Sequence, residues 1–364
     1  MRILLTGGGT AGHINPAIAI AEIIKQNAPR AEIAFVGTPH GMENELVAQA
    51  GYPLYHVDVA GFSRSLSYKN LRSLWLAAMS PRRAERILAG FSPDLVIGTG
   101  GYVCWPTLRA AAKKGIPTAI HESNAIPGMT VRRLAPHMSA IWLNFKETAA
   151  YLPKGCVTPQ HTGNPMRHDF SGITRTAARE QLGLKPSDIF LLSFGGSLGA
   201  EALNRSMLDF MEQDAEKLSS LVCLHACGSK HYEACRSIFK DRDRGKIVPY
   251  IQKMGVYMSA ADIVICRAGA MTISELAISG KCAILVPSPY VTDDHQYKNA
   301  AALADTGAAL LLEEHDLPRN KLKKMIKTLV LDGKKRKALE CEIKKFAKPH
   351  ANELIWQQIQ LLTR

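Results

Sequence analysis

The stretch from 263 to 299 holds the residues best suited to chemistry in this sequence. An apolar strand is predicted at Ile263–Ile265 and a helix from Met271, with Arg267-Ala268-Gly269-Ala270 between them. Small residues before a helix let a ligand approach the free N–H groups of its first turn, where the helix dipole favours phosphate. One turn later, Glu275 can accept two hydrogen bonds from adjacent hydroxyls, as in a ribose diol. The stretch therefore predicts a nucleotide site.

Polar clusters also follow other predicted strands. Asp293-Asp294-His295-Gln296 follows the strand that begins at Ala283, and its side chains suit a hydroxyl-rich ligand. His13 ends the glycine-rich turn that follows Ile3–Leu5, and Glu122 lies in His121-Glu122-Ser123-Asn124, after another strand. Because open α/β sheets bind ligands at the carboxyl ends of their strands, these residues are candidate site residues.

The elements that position these residues occur in the same order twice. A strand, a glycine-rich turn and a helix begin at Ile3, and the same order restarts at Ile189, with an irregular polar stretch from Gly163 to Pro186 between the two halves. We predict an α/β protein with two Rossmann-like domains facing across a cleft, at residues 1–164 and 165–348.

Composition narrows the class of partner. The 364 residues carry a formal net charge of +13, which favours an anionic partner such as nucleic acid, an acidic membrane surface or a phosphorylated substrate.

Eight cysteines without paired spacing predict a reduced, intracellular chain. A zinc site at Cys223, Cys227 and Cys235 with His225 and His231 is disfavoured, since Leu221 to Cys227 is typical of a buried strand. The first residues do not resemble a signal peptide and no apolar run is long enough to span a bilayer, so we expect a cytoplasmic location.

A nicotinamide cofactor is disfavoured. Gly7, Gly9 and Gly12 satisfy the GxGxxG spacing of dinucleotide-binding turns. In a dehydrogenase the second strand should end in an acidic residue that binds the adenosine ribose, but here it ends in Gly37 and Thr38.

The segment from Ser63 to Phe91 has the pattern of a membrane-surface helix. Apolar residues at helical spacing lie beside basic residues, which suits the surface of an anionic bilayer; an amphipathic helix packed on its own domain is the alternative. Stacking aromatics and RNA-binding modules are missing, so nucleic acid is not an expected partner. The predicted patch contains Leu71, Arg72, Leu74, Trp75, Arg82 and Arg83.

Six motifs, in order along nearly the whole chain, resemble the MurG family of bacterial UDP-sugar glycosyltransferases, which have the glycosyltransferase B architecture. They are GGGTAGH at 7–13, GTGGY at 98–102, HESN at 121–124, GNPMR at 163–167, GGSLGA at 195–200, and RAGAMTISE at 267–275 with DDHQ at 293–296. Position 198 is Leu where many relatives carry Gln, which leaves a side-chain contact there in doubt. The resemblance implies that a final helix, at 349–364, returns to the first domain.

The resemblance also implies a site for UDP-N-acetylglucosamine. The turn at Ser197 would hold the diphosphate with Arg167 nearby, the backbone of Ile251 would pair with uracil, and Glu275 would bind the ribose. Gln296 would bind the sugar hydroxyls, and Asn124 would reach the donor sugar from the other domain. For Ser197 and Asn124, a helix cap and a turn former are the structural alternatives. The remaining expected donor contacts are Thr10, Ala11, Gly12, Ala270, Met271, Thr272, Ile273 and Ser274.

The expected reaction is attack by the C4 hydroxyl of the muramoyl sugar of lipid I on the donor's anomeric carbon, with inversion, to give lipid II. His13 is the first candidate base because imidazole titrates near neutral pH, although it could instead bind the acceptor diphosphate or cap its helix. Glu122 is the second candidate base. No DxD-like motif stands at a strand end, so no cofactor or obligatory metal is expected.

The expected location is the cytoplasmic face of the bacterial membrane, with lipid I, the anionic inner leaflet and proteins of cell-wall synthesis and division as partners. Four alternatives stay open at this point. They are a transferase with another lipid acceptor such as diacylglycerol, a UDP-N-acetylglucosamine 2-epimerase, a nucleotide-regulated binding protein and a nicotinamide oxidoreductase.

Overall fold

A computed structural model of the chain describes residues 1–59, 82–167, 170, 173–196 and 199–364. The chain divides into two compact units. Unit 1 contains Met1–Met166 and Lys348–Arg364, and unit 2 contains Arg167–Ala347. Each unit is built on its own six-stranded sheet, in which every recorded strand pairing is parallel.

The sheet of unit 1 has the strand order of a Rossmann fold. Its order is β3-β2-β1-β4-β5-β6, so the chain reverses direction across the sheet between β1 and β4. Such switch points are where open α/β sheets form ligand sites. The strands are β1 (Arg2–Thr6), β2 (Glu32–Gly37), β3 (Leu54–His56), β4 (Leu95–Gly98), β5 (Thr118–Glu122) and β6 (Ala140–Leu143).

Helices cover both faces of this sheet. Alternate residues of β1 enter two different cores, with Ile3 and Leu5 in one and Leu4 in the other, because successive side chains of a strand point to opposite faces. The helices are α1 (Ala11–Asn27), α2 (Glu43–Gln49), α3 (helical residues 82–91), α4 (Cys104–Lys113), α5 (Met129–Leu134) and α14 (Ala351–Leu362).

Unit 2 repeats this topology with its own strands. The order β12-β11-β10-β7-β8-β9 has its switch point between β7 and β10. The strands are β7 (Ile189–Phe194), β8 (Leu221–Ala226), β9 (Gly245–Val248), β10 (Ile263–Cys266), β11 (Cys282–Leu285) and β12 (Leu310–Leu311). The helices are α6 (Arg175–Gln181), α7 (Glu201–Gln213), α8 (Tyr232–Ile238), α9 (Met254–Ala260), α10 (Ala270–Ser279), α11 (His295–Ala304), α12 (Lys321–Leu331) and α13 (Gly333–Lys344).

The last helix of the chain, α14, belongs to unit 1. Ile355 and Ile359 are fully buried in the same core as Ile3 and Ile20, on the face that α1 covers. Asn352, in its first turn, exchanges two hydrogen bonds with the backbone of Met166 at 2.8 and 2.9 Å. The chain therefore completes its first unit only after it has formed the second.

The predicted α/β class with two Rossmann-like domains is confirmed. Among the described residues, no helix combines the length and apolar character needed to cross a bilayer.

Candidate active site

His13 lies at the start of α1, in unit 1, beside the end of β4. Its Nδ1 is 3.2 Å from the carbonyl oxygen of Thr99, and the Thr99 hydroxyl donates to the His13 carbonyl at 2.6 Å. A carbonyl oxygen can only accept a hydrogen bond, so Nδ1 carries the proton in the neutral ring. That tautomer leaves a lone pair on Nε2, which is the arrangement a general base requires.

Two glycines make room for the imidazole of His13. Gly100 has φ +103°, and a Cβ there would lie 2.6 Å from His13 Nδ1. Gly101 has φ +80°, and a Cβ there would lie 2.2 Å from the Gly8 carbonyl oxygen and 3.2 Å from His13 Cδ2. Other residues rarely adopt these dihedral angles. The GTGGY motif therefore leaves space for the ring at its two adjacent glycines and provides the Thr99 carbonyl as its hydrogen-bond partner.

A buried carboxylate supports the first glycine-rich turn from below. Glu43 is fully buried, and its Oε1 accepts from the backbone N–H and the hydroxyl of Thr38 at 2.7 and 2.6 Å. Its Oε2 lies 3.5 Å from the backbone nitrogen of Gly9. A Cβ at Gly37 or Gly41 would collide with the Glu43 side chain. Glu43 could not be predicted as a site residue from the sequence. The one signal for it in the sequence is the presence of glycines shortly before it, at 37 and 41.

The donor contacts expected in unit 1 occupy the beginning of α1. Thr10 is the N-cap residue but its hydroxyl makes no capping hydrogen bond, and both Thr10 and Gly12 are exposed. Ala11 begins the helix, whose first turn contains no acidic residue. The first turn is thus electrostatically suited to an anion.

Glu122 organises its own loop. One carboxylate oxygen accepts from the backbone and side-chain nitrogens of Asn124 at 2.9 and 3.0 Å, and the other accepts from Gly128 N at 3.0 Å. Burial raises the pKa of the Glu122 carboxyl, and the loop donors work against that rise. Because both oxygens are engaged by the loop, this geometry favours a positioning role for Glu122, which orients Asn124.

In unit 2, α10 presents its first turn beyond the end of β10. Gly269 is the N-cap and has no side chain that could cap the helix, and the first turn lacks acidic residues. Ala270 and Ile273 are buried, whereas Met271, Thr272 and Ser274 are half-buried. Ile273 can therefore meet a ligand only through its backbone.

Glu275 follows on the same helix. Its carboxyl has a pKa raised to about 7 by burial, and the positive charge of Arg167 works against that rise. The two residues predicted to bind the ribose and the diphosphate are therefore electrostatic neighbours within unit 2. A carboxyl so poised can bind a diol well only when it is ionised.

Gln296 lies in the first turn of α11. Its Oε1 accepts from the backbone nitrogen of Ser288 at 2.9 Å, a bond that does not use its Nε2 donor. Asp293 and Asp294 have φ values of +56° and +53°, a left-handed conformation that residues other than glycine rarely adopt. This bend places Gln296 next to the end of β11.

Arg267, which the sequence reading did not single out, links three elements of unit 2. It donates from Nη1 to the carbonyls of Val286 and Pro287 at 3.1 and 3.2 Å, and from Nη2 to Glu314. Both members of the ion pair are nearly buried. Arg267 therefore fixes the end of β11 relative to α10.

A buried polar chain lies under the second glycine-rich turn. The Ser193 hydroxyl is 2.6 Å from His225 Nδ1, His225 Nε2 is 3.0 Å from Asn204 Oδ1, and Asn204 Nδ2 donates to the Cys227 carbonyl at 2.9 Å. Burial lowers the pKa of His225 to about 4, so the ring is neutral. The chain ties together β7, β8 and α7 beside the turn at Gly195–Ala200, in which Ser197 and Leu198 lie outside the described residues.

Ile251 is buried on the wall of a cavity of about 420 Å³ in unit 2. Tyr250, beside it, is 56% exposed, and Leu224 and Val248 from β8 and β9 also line the cavity. This is a space large enough for a planar ring.

The predicted membrane patch is only partly described. Arg82 and Arg83 are exposed at the start of the described part of α3, and Arg83 forms an ion pair with Asp58, which offsets part of its charge. Leu71, Arg72, Leu74 and Trp75 lie outside the described residues. Within the described part of the chain, no group of three or more His, Cys, Asp or Glu side chains could hold a metal ion.

Comparison with known proteins agrees along the whole chain. Residues 3–142 match the model of the glycosyltransferase family 28 N-terminal domain, and residues 190–355 match that of its C-terminal domain. A relative from Thermoanaerobacter sp. (strain X514) is 40% identical over all of both chains, and one from Bacillus cytotoxicus is 36% identical over the same extent. Both are named UDP-N-acetylglucosamine--N-acetylmuramyl-(pentapeptide) pyrophosphoryl-undecaprenol N-acetylglucosamine transferase.

Solved structures give the same answer. The crystal structure of Acinetobacter baumannii MurG covers 99% of this chain and of its own, with a TM-score of 0.78 and 29% identity. The UDP-GlcNAc 2-epimerase from Neisseria meningitidis, at 12% identity and a TM-score of 0.66, covers 99% of this chain and 100% of its own, and shares the fold alone. The chain therefore belongs to the MurG family of glycosyltransferase family 28.

Proposed function

We propose that the chain transfers N-acetylglucosamine from UDP-N-acetylglucosamine to the C4 hydroxyl of the muramoyl sugar of a pyrophosphoryl-undecaprenol acceptor, lipid I, giving lipid II for peptidoglycan synthesis. The supporting observation is full-length similarity, at 36 to 40% identity, to relatives named for this transfer. The alternatives are not favoured, because the likeness to an epimerase is one of fold and the dinucleotide-binding acidic residue is missing from the end of β2.

Donor binding belongs to unit 2 in this proposal. The N–H groups at the start of α10 and of the turn at Gly195–Ala200 face the diphosphate, with Arg167 and Ser197 as partners. The ionised Glu275 accepts from both ribose hydroxyls, the Ile251 backbone pairs with uracil, and Gln296 donates to the sugar. What supports these roles is the absence of acidic residues from the first turn of α10 and the electrostatic interaction of Glu275 with Arg167.

Proton transfer belongs to unit 1. The Nε2 lone pair of His13 takes the proton of the acceptor C4 hydroxyl as that oxygen bonds to the anomeric carbon and the bond to the UDP oxygen breaks, with inversion. The Nδ1–H bond to the Thr99 carbonyl supports this role because it fixes the required tautomer. Asn124, oriented by Glu122, contacts the donor sugar.

Helix dipoles and Arg167 stabilise the departing diphosphate, so we propose turnover without an obligatory metal ion. The site of action is the cytoplasmic face of the membrane, where the patch around residues 71–83 binds the anionic leaflet. Proteins of cell-wall synthesis and division are further partners.

The test is UDP release with UDP-N-acetylglucosamine and a soluble lipid I analogue, with and without EDTA. We expect release that EDTA does not abolish; no release with this acceptor, or equal release with diacylglycerol, would contradict the proposal. The His13→Gln variant should lower kcat by about 100-fold or more, in the range of general-base catalysis, and leave donor affinity within twofold of the parent. Near-normal kcat in this variant would exclude His13 as the base.

A further inference from the structure

The end of unit 2 carries a large share of the protein's net positive charge. Residues 319–347 contain eleven Lys or Arg and three Asp or Glu, a net charge of +8 against +13 for the whole chain. Helices α12 and α13 form nearly all of this stretch, and their apolar faces are buried in the core of unit 2.

Most of the cations on α12 have acidic partners. Lys323 lies 2.6 Å from Asp209, and Lys327 lies 2.8 Å from Asp214. Lys321 lies 2.6 Å from Asp316, which precedes the helix. The charge on this helix is therefore largely balanced within unit 2.

The beginning of α13 differs. Lys334 and Lys335 are exposed and form no ion pair with any residue of the described part of the chain, and Lys337 reaches Glu340 only at 3.7 Å. Arg336 is used internally, since it donates to the Val330 carbonyl at 2.9 Å and so caps α12. Three lysines are left to face solvent.

These lysines oppose the dipole of their own helix. Lys334 and Lys335 lie in the first turn of α13, which begins at Gly333 and where a helix carries partial positive charge and cations are unfavourable; Lys337 follows directly after this turn. The N-cap residue Asp332 is the one acid at this end, and it accepts from the Lys335 backbone at 2.9 Å. Helix stability alone does not account for lysines here; an external anion would.

An exposed aliphatic side chain adjoins the lysines. Leu331, the last residue of α12, is 78% exposed, whereas Leu322, Ile326, Leu329 and Val330 on the same helix are at most 5% exposed. An exposed leucine close to Lys334 and Lys335, which have no acidic partner in the described part of the chain, offers one apolar side chain in a positively charged surface.

We propose that this basic turn, Leu331 to Lys337, is a membrane-contact surface on unit 2, separate from the patch predicted near residues 71–83. Lys334, Lys335 and Lys337 lie against anionic phospholipid headgroups, and Leu331 enters the interface beneath them. A nucleic acid would meet the charges but has no place for an aliphatic side chain, and the turn contains no aromatic residue on which a base could stack.

The first experiment measures co-sedimentation with vesicles of 30% phosphatidylglycerol in phosphatidylcholine. The double variant Lys334→Glu/Lys335→Glu should lose affinity by about tenfold or more, as expected for basic residues at an anionic leaflet. The matched control, Lys240→Glu/Lys246→Glu, makes the same change in net charge at exposed lysines elsewhere in unit 2 and should lose much less. Equal losses in the two double variants would overturn the proposal.

The second experiment reports on Leu331 itself. In a Cys156→Ser/Cys341→Ser background, which removes the two cysteines that are not buried, Leu331→Cys carries an environment-sensitive fluorophore. Its emission should shift to the blue with phosphatidylglycerol vesicles and stay unchanged with phosphatidylcholine vesicles or with RNA. A fluorophore at Ile238→Cys, where the side chain is 63% exposed, should not shift. A shift with RNA alone, or none, would contradict membrane contact.

These outcomes are separable from the proposed activity. The basic-turn variants should release UDP at the parent rate with a water-soluble acceptor, because the substituted side chains are exposed and Lys335 is an electrostatic neighbour of Cys282 at the amino end of β11, whereas α10 begins beyond the carboxyl end of β10. If the parent protein releases no UDP but the basic turn still governs vesicle binding, then the proposed reaction fails and the surface stands.

Discussion

At the scale of single residues, Glu275 shows how burial tunes a binding group. Its carboxyl has a pKa raised to about 7, while Arg167 holds that rise in check. The ionised form accepts two hydrogen bonds from a diol, whereas the protonated form must donate one. The raised pKa thus places the change from weak to strong ribose binding inside the neutral range.

We predict that the Kd for UDP-N-acetylglucosamine falls by about tenfold as pH rises from 6 to 8, because the fraction of ionised Glu275 rises with pH. The donor diphosphate has no proton to lose in this range, so it does not obscure the effect. Calorimetry checks it. The Glu275→Gln variant should bind more weakly and with a flat pH profile. A parent profile that is itself flat would show that ionisation of Glu275 does not matter for donor binding.

At the scale of elements, α14 stabilises a unit distant from it in sequence. Ile355 is fully buried against the sheet of unit 1, and the adjacent Leu354 is 40% exposed on the same helix. The two positions form a matched pair for separating burial from helix propensity.

We predict that Ile355→Ala lowers the free energy of unfolding of unit 1 by about 2–5 kcal/mol, as for other large-to-small changes in a packed core. Leu354→Ala should cost less than about 1 kcal/mol, because that residue is already 40% exposed to water. Urea denaturation followed by hydrogen exchange measures both, with amides of β1 reporting on unit 1 and amides of β7 reporting on unit 2. An equal loss of protection at β1 and at β7 in Ile355→Ala would contradict assignment of α14 to unit 1.

The sequence allowed the local strand–turn–helix segments to be predicted because their pattern is local. Ile263–Ile265, the small residues at 268–270 and Glu275 are neighbours along one strand and one helix, and their order alone indicates a nucleotide site. Glu43 was not singled out, Arg267 was noted only as part of its turn and His225 only as part of a disfavoured zinc site, because their roles depend on partners 5 to 47 residues away in sequence. The return of α14 to unit 1 came from the family resemblance; helix periodicity does not reveal which core receives its apolar face.

At the scale of the whole molecule, each unit has one fully buried histidine among the residues that the structure describes, near the end of a strand. The Nε2 atom of His121, in β5, donates to the Gly163 carbonyl oxygen at 3.1 Å, because a carbonyl oxygen can only accept. Burial lowers the pKa of both His121 and His225 to about 4, from an ordinary value of 6.5. Both units should therefore weaken together in acid.

The sign follows from linkage. Below pH 6.5 the unfolded chain binds protons at these rings that the folded chain does not, so stability falls as pH drops from 6.5 towards 4. We predict that His225→Gln reduces the slope of unfolding free energy against pH for unit 2 between pH 6.5 and 4.5, and that His315→Gln, at an exposed position of the same unit, reduces it much less. Urea midpoints at several pH values measure this slope. Identical slopes in parent and His225→Gln would exclude the buried imidazole as the cause.

Because Ile355 and Ile359 fill the floor of unit 1, a ribosome must finish the whole of unit 2 before residues 351–362 can emerge and close the first sheet's core. During synthesis, unit 1 therefore leaves the apolar surface that α14 will cover exposed while unit 2 is being made. Chaperone occupancy of nascent chains should accordingly persist until the final helix leaves the exit tunnel.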